Sequence, residues 1–336
     1  MFCRIKNILM SFKFFKFFFF LLIGLFLLKW VYDFFGSPDS IKLINENKSN
    51  LHLIIFAHIP TLYFDAIAWQ VFIKKERLSI LWTFLITWIS QASGKFFPTG
   101  TISGEFIRVY LGVKRGLTIY ESSSTVFADL IIATFSLFLI SIFSLLVVTF
   151  DSISFFNNQK SFYLYVSLFL MFLGCIFFYL FVKLRLIKFL LKKENIFGFR
   201  LNKKNLKILF KIDFSLFLLS RNRLNLLKAL VSRLLGWIAG AFEIYVFLFI
   251  IGVDASLLDV ILIEAFTGIV RAVAFFIPAG LGVQELAFVL IGNYVGLGDT
   301  VAFSIAIGRR IREIIVGVPA VLIWIFVFYN KKGKRA

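Results

Sequence analysis

"KFFPTGTISGEFIR", residues 95–108, sets Pro98, Gly100, Gly104 and Glu105 between two strongly apolar runs. Proline disfavours continuation of a helix and glycine permits a tight turn. The stretch therefore reads as the tip of a broken hairpin, not as the middle of a membrane helix. The chain does this twice. Phe96-Phe97-Pro98-x-Gly100-x(4)-Glu105 is matched by Phe275-Phe276-x-Pro278-x-Gly280-x(4)-Glu285, with Pro, Gly and Glu recurring at one offset of 180 residues.

The composition supplies the setting. Of 336 residues, 60% are hydrophobic and 16% charged, with a mean hydropathy of +0.92. A soluble domain keeps about a quarter of its residues charged. Several apolar runs approach the roughly 20 residues that cross a hydrocarbon core, so the chain reads as an all-α polytopic membrane protein without a separate soluble domain. Its start has a basic flank and a long apolar run but no short core followed by a small-residue cleavage site. It reads as a retained anchor and not as a signal peptide.

The net charge of +19 is assigned to positive-inside orientation and to attraction for anionic headgroups, not to nucleic acid. Cys3 and Cys175 lie far apart, so neither a disulfide framework nor a metal site is expected. His52 and His58 read as interfacial. No Ser-His-Asp set, HExxH, strand-linked GxGxxG or P-loop is found, so no catalytic residues, no cofactor and no ATP-driven step are expected. The 47 Phe read as lipid-facing bulk.

Charge then sets the topology. Arg4, Lys6, Lys13 and Lys16 put the N-terminus in the cytoplasm. Helix 1 (about 13–35) exits to a mixed loop at 36–50, and helix 2 (about 51–73) returns to "KKER" at 74–77. The next basic cluster, Arg108, Lys114 and Arg115, also reads as inside. The stretch 78–112 must then enter and leave on the cytoplasmic side as a re-entrant hairpin. Helix 3 (about 118–150) exits and helix 4 (about 162–186) returns. Residues 183–233 hold 14 Lys or Arg against Glu194 and Asp213, so the basic segment 187–228 is cytoplasmic. Within it, "LKILFKIDFSLFLL" reads either as a helix lying on anionic lipid or as a solvated orientation-setting loop. Helix 5 (about 229–252) exits, an outside-entering hairpin occupies 257–297 between acidic flanks at Asp254 and Asp299, and helix 6 (about 300–329) brings "KKGKRA" back inside.

Six full spans and two re-entrant hairpins thus fall into two halves, 1–150 and 151–336, of opposite orientation. Inverted repeats with broken helices are how several transporters build a site near the midplane. Hairpin tips leave N–H groups free at helix starts, which suits an anion such as a lipid phosphate. The candidate lipid-binding residues are Pro98, Gly100, Gly104, Glu105, Arg108, Arg271, Pro278, Gly280, Gly282, Glu285, Arg310 and Arg312. The intramembrane acids Asp65, Asp129, Glu243, Glu264 and Glu313 are costly in lipid and must face a cavity or a cation. "GRRIRE" at 308–313 also places Arg309 in the span. For Arg310 and Arg312 a purely structural ion pair stands as the alternative, as it does for Asp65 and Glu243.

The stretches "FPTGTISGEFIRVYLGVKRG" (97–116), "IPAGLGVQELAFVLIG" (277–292) and "GRRIREIIVGVPAVLIW" (308–324) resemble the lysylphosphatidylglycerol synthase transmembrane-region family of flippase-like membrane proteins, with the hopanoid-biosynthesis-associated branch the nearest. Pro278, Gly280, Gly282 and Glu285 fall on that family's Pro-x-Gly-x-Gly-x-x-Glu motif, and Gly104, Glu105 and Arg108 on its Gly-acid-x-x-Arg pattern. Relatives often carry an Arg beside the acid of helix 3, where this chain has Ala128 and Leu130 around Asp129.

The resemblance implies a module of the inner membrane that moves or handles an amphiphilic lipid: a phospholipid, glycolipid or hopanoid. The expected partners are membrane lipids with an anionic headgroup and lipid-biosynthesis enzymes. Relatives that aminoacylate phosphatidylglycerol do so with an added soluble domain, which is not read here. The alternatives are a non-transporting scaffold for lipid-biosynthesis enzymes and an intramembrane lipid transferase using Glu105 or Glu285 as base.

Overall fold

Proline and glycine cut the apolar runs into helices of two lengths, and that difference organises the molecule. A computed structural model describes residues 19–329 apart from 20, 37, 75, 98–100, 152–158, 193–202 and 276. Pro98 and Gly100, the flank with Arg4, Lys6, Lys13 and Lys16, and the terminal "KKGKRA" lie outside the described residues. Among the described residues all regular structure is helical.

The first elements are α1 (Leu21–Phe35) and α2 (Pro38–Glu46), which meet at a bend of 87°. The stretch 36–50, expected as a loop, is therefore mostly helix. Pro38 at the first helical position presets φ, and Asp39 in the first turn suits the positive end of the helix dipole. The buried Ser40 ties α2 to the last long helix: its hydroxyl donates to the Thr300 carbonyl at 3.1 Å, and that of Ser304 donates to the Ser40 carbonyl at 3.3 Å.

There follow α3 (His52–Gln70), α4 (Ile80–Phe96), α5 (Thr101–Lys114), α6 (Ile119–Asp151), α7 (Gln159–Lys183), α8 (Leu186–Lys192), α9 (Lys203–Arg221), α10 (Arg223–Ile250), α11 (Leu257–Val273), α12 (Val283–Tyr294) and α13 (Asp299–Ile323). Among the described residues four helices are long and apolar enough to cross a membrane: Lys48–Gln70, Ile119–Leu146, Tyr165–Lys183 and Arg223–Ile250. The bent α1–α2 pair makes a fifth if counted as one span. Six full spans were expected. The difference is α13, which has the length but carries Arg309, Arg310, Arg312 and Glu313 in its middle. The segment "LKILFKIDFSLFLL" is helical within α9. It packs on α6 and exposes Phe210, Phe214 and Leu218 at one-turn spacing.

The two hairpins are helix pairs with short arms. At about 1.5 Å per residue, α4 and α5 are roughly 25 and 21 Å long and α11 and α12 roughly 25 and 18 Å, all under the ~30 Å core. In the first hairpin the Ser90 hydroxyl donates to the Gly104 carbonyl at 2.8 Å and that of Ser103 to the Ser93 carbonyl at 3.2 Å, an antiparallel register. At its open end Arg115 stacks over the Trp82 ring, and Leu78, Leu111 and Leu117 share one apolar cluster. The chain thus enters and leaves this hairpin at the same end.

The second hairpin opens with a capping box, Ser256 with Asp259, and turns through a short 3-10 segment at Pro278–Gly280. Ala279, Gly280 and Gly282 have φ of +55°, +59° and +75°, a backbone region that favours glycine. Gly282 is doubly constrained, because a Cβ there would lie 2.5 Å from the Leu28 amide nitrogen.

Two apolar clusters follow the hairpins. One gathers Trp69, Ile86, Ile89 and Leu111 around α4–α5. The other gathers Phe247, Ile263, Phe266, Phe288 and Ile305 around α11–α12. The α3–α10 pair, the most extensive helix contact, stands between them. By contrast α7 turns most of its surface outward, with Phe169, Leu173, Phe177 and Tyr179 exposed, as a lipid-facing helix requires.

Candidate functional site

Among the described residues seven carboxylates and seven cations gather around the α3–α10 pair, in two groups. Burial in the hydrocarbon region demands pairing, and the structure supplies it.

The first group joins α3, α5, α6 and α10. Arg233 Nη1 donates to Asp65 Oδ1 at 2.6 Å, its Nε donates to Asp129 Oδ1 at 3.1 Å, and its Nη2 bonds the other Asp129 oxygen. Arg108 Nη1 donates to Asp129 Oδ2 at 2.7 Å and lies 3.5 Å from Glu105 Oε2. Gln91 Nε2 donates to Asp65 Oδ2 at 2.7 Å. Arg233 was counted from sequence with the cytoplasmic loop charges. It is instead a buried core residue, one of few cations the sequence places on α10.

The second group joins α3, α4, α10, α11, α12 and α13. Glu243 Oε1 accepts from Arg312 Nε at 2.7 Å and lies 3.0 Å from Arg309 Nη1, while Arg309 Nη2 bonds Glu264. His58 Nδ1 donates to Glu243 Oε2 at 2.9 Å, and Arg312 Nη1 points at His58 Nε2 at 3.5 Å. Because a guanidinium can only donate, this assigns the neutral ring with its proton on Nδ1. The interfacial reading therefore fails for His58, which is 5% exposed, whereas His52 is exposed. The reason is a tertiary partner 185 residues away.

Arg310 leaves this cluster for α12 and the second tip. Its Nε donates to Glu285 Oε1 at 2.5 Å, and its Nη1 to Glu313 Oε2 and the Ala279 carbonyl, both at 2.9 Å. Its Nη2 donates to the Gly280 carbonyl at 3.3 Å. The tip is held through its carbonyls. The Gly280 and Leu281 N–H groups, expected to be free for an anion, are already bonded to Ile277 and Pro278. Spacing explains the split: 309, 312 and 313 lie on one face of α13, and 310 on its flank.

A cavity of about 360 Å³ lies between the groups. Both hairpins line it, through Ser90, Gln91, Lys95, Gly104, Glu105 and Arg108 on one side and Glu264, Arg271, Gly280 and Gln284 on the other, joined by Asp65, Arg233, Arg309, Arg312 and Glu313. Leu130, Ala133, Leu137, Met171, Phe275 and Ile277 give it an apolar wall, with His58, Thr61 and Thr134 adding polar groups to the lining.

Of the residues singled out in the sequence, Gly104, Glu105, Arg108, Arg271, Gly280 and Arg312 reach this cavity, with Asp65, Glu264 and Glu313. Pro278, Gly282, Glu285 and Arg310 build and brace the second tip, and Asp129 and Glu243 anchor the two ion-pair groups from behind. Sequence reasoning missed Lys95, Gln91 and Gln284 as lining residues. Lys95 Nζ is 3.2 Å from Glu313 Oε1. A cation in the last turn before a break, and an amide beside the matched glutamate, were the signals present. Among the described residues no His, Cys, Asp or Glu group has the arrangement of a metal site.

A bundle with two short-armed hairpins and an ionised cavity among membrane-length helices defines a multi-pass integral membrane protein. More particularly, residues 14–320 match the family model of the lysylphosphatidylglycerol synthase TM region, and the chain belongs to that family. No curated protein and no solved structure matches it. The family is one of membrane proteins that handle lipids.

Proposed function

We propose that the protein takes the headgroup of an amphiphilic membrane lipid into the cavity between its hairpins and carries it between leaflets while the tail stays in the bilayer. The observation that carries this reading is the cavity's two-sided lining. Charged side chains from both hairpins line it together with an apolar wall from α6, α7 and Ala272, Ala274, Phe275 and Ile277. An amphiphile needs both, and a volume of about 360 Å³ is in the range of small-molecule sites. Lys95 and Arg271, each with a side chain 27% exposed, offer the headgroup's anionic part its cations. The lipid would be a phospholipid, glycolipid or hopanoid, and the protein a carrier, not an enzyme.

The reading includes an inverted repeat, with α3, α4–α5 and α6 answering α10, α11–α12 and α13. Supporting it, the offset of 180 residues places Gln91 opposite Arg271, and both line the cavity. It also places the protein in the inner membrane with both termini cytoplasmic.

The test is transbilayer movement of fluorescent phospholipids in liposomes holding the purified protein. Wild type should accelerate it, and Lys95→Met should reduce the rate about tenfold or more, the loss of one charge-assisted hydrogen bond. Lys42→Gln, on an exposed side chain, should match wild type. If wild type moves no lipid faster than empty liposomes, the carrier reading fails.

A further inference from the structure

The two ion-pair groups are each unbalanced, in opposite senses. Among the described residues the group around Arg233 has three carboxylates for two guanidiniums, and the group around Glu243 has five cations for four carboxylates. The surplus charges can be assigned. In the first group Asp129 and Asp65 are bonded by arginines at close range, while Glu105 has only Arg108 at 3.5 Å. Glu105 Oε2 is buried with no hydrogen-bond donor among the described residues, although the side chain is 33% exposed on the cavity. In the second group Arg271 is the loosely held cation, 3.9 Å from Glu264 Oε1 and 3.5 Å from Gln284 Oε1. Beside it Gln284, 2% exposed, has a buried Nε2 donor with no acceptor among the described residues.

On the cavity lining, Glu105 thus puts an unpartnered acceptor with the surplus negative charge at one pole, and Gln284 and Arg271 put an unpartnered donor with the surplus positive charge at the other; Arg108 Nε, Arg309 Nε and Glu285 Oε2 are also buried without a partner among the described residues. Water would satisfy the hydrogen bonds but would carry neither charge. A low-dielectric site with balanced total charge favours a ligand whose own charges balance, since any net charge would stay uncompensated. We propose that the cavity is built for a net-neutral zwitterionic headgroup, its phosphate against Arg271, Lys95 and Gln284 and a primary ammonium against Glu105. This rests on the lipid-carrier reading and gives it a substrate class: phospholipids of the phosphoethanolamine type. The orphan acceptor at Glu105 asks for an N–H, so a trimethylated ammonium is a poorer fit than a primary one.

The test is retention of lipid by the purified full-length protein, measured by native mass spectrometry. Phosphatidylethanolamine, phosphatidylglycerol and phosphatidylcholine of identical acyl chains are supplied in equal amounts. Wild type should retain phosphatidylethanolamine about tenfold or more over either competitor, a comparison that needs no variant to fold. Glu105→Gln should lower phosphatidylethanolamine alone and bring its ratio to phosphatidylglycerol towards one, with Glu105→Asp keeping the preference. Arg271→Gln should lower both lipids together. Equal retention of the three by wild type, or a ratio unmoved by Glu105→Gln, overturns the zwitterion inference while the headgroup site stands if Arg271→Gln still releases lipid. No retained lipid in wild type overturns both.

Discussion

Arg233 binds three carboxylate oxygens at once, two of Asp129 and one of Asp65. Removing one partner of such a group leaves buried charge uncompensated, a loss of about 3–5 kcal/mol. Arg233→Met should therefore lower the thermal unfolding midpoint in detergent steeply. Lys42→Gln, which breaks only the exposed 4.0 Å pair with Glu46, should change stability by less than about 1 kcal/mol. An Arg233→Met midpoint equal to wild type would mean that the group is solvated. At this scale the sequence was half legible. Acids in apolar runs announce themselves by type, so Asp65, Asp129, Glu243 and Glu264 stood out. Their partners did not, because a cation near a basic loop looks like an orienting charge. Arg233 finds Asp129 across 104 residues, and His58 finds Glu243 across 185; only tertiary packing separates those from loop and interface residues.

Among the elements, the hairpins show how much of the fold one small residue sets. Gly104 faces α4 so closely that a Cβ would sit 2.5 Å from the Ser90 carbonyl oxygen. That neighbour is backbone and cannot rotate away, so the arms must part. Gly104→Ala should cost about 1–3 kcal/mol and loosen the cavity wall carrying Glu105. Gly174, on outward-facing α7, has nothing within 4 Å of a Cβ. There Ala should raise stability by up to about 1 kcal/mol through helix propensity. Parallel unfolding curves distinguish the two, and equal shifts would mean that the tight register of α4 and α5 is wrong. The breaks were readable because Pro and Gly act locally on backbone angles. Helix α2 was not. Its nine residues have a near-neutral average, and its helicity depends on packing Ser40 and Ile44 against α13, which no local pattern records.

At the scale of the whole molecule, the arms of α4–α5 and α11–α12 are at or below the shortest length that crosses a hydrocarbon core, and the open end of the first hairpin is closed by Trp82, Arg115 and Leu117. If both hairpins are re-entrant from opposite faces, chain ends flanking one hairpin must share a side, and the two hairpins must differ. The charge pattern points the same way: Lys74, Arg77, Lys114 and Arg115 flank the first, while Asp254 and Asp299 flank the second. The measurement is sided labelling by an impermeant maleimide after Cys3→Ser and Cys175→Ser. Lys74→Cys and Lys114→Cys should both react from the cytoplasmic face, and Asp254→Cys and Asp299→Cys both from the other. Labelling of Lys74→Cys and Lys114→Cys from opposite faces would make α4–α5 one kinked crossing. The cavity would then be walled by a through-going helix on one side only, and the opposed hairpins that carry the transport reading would be gone.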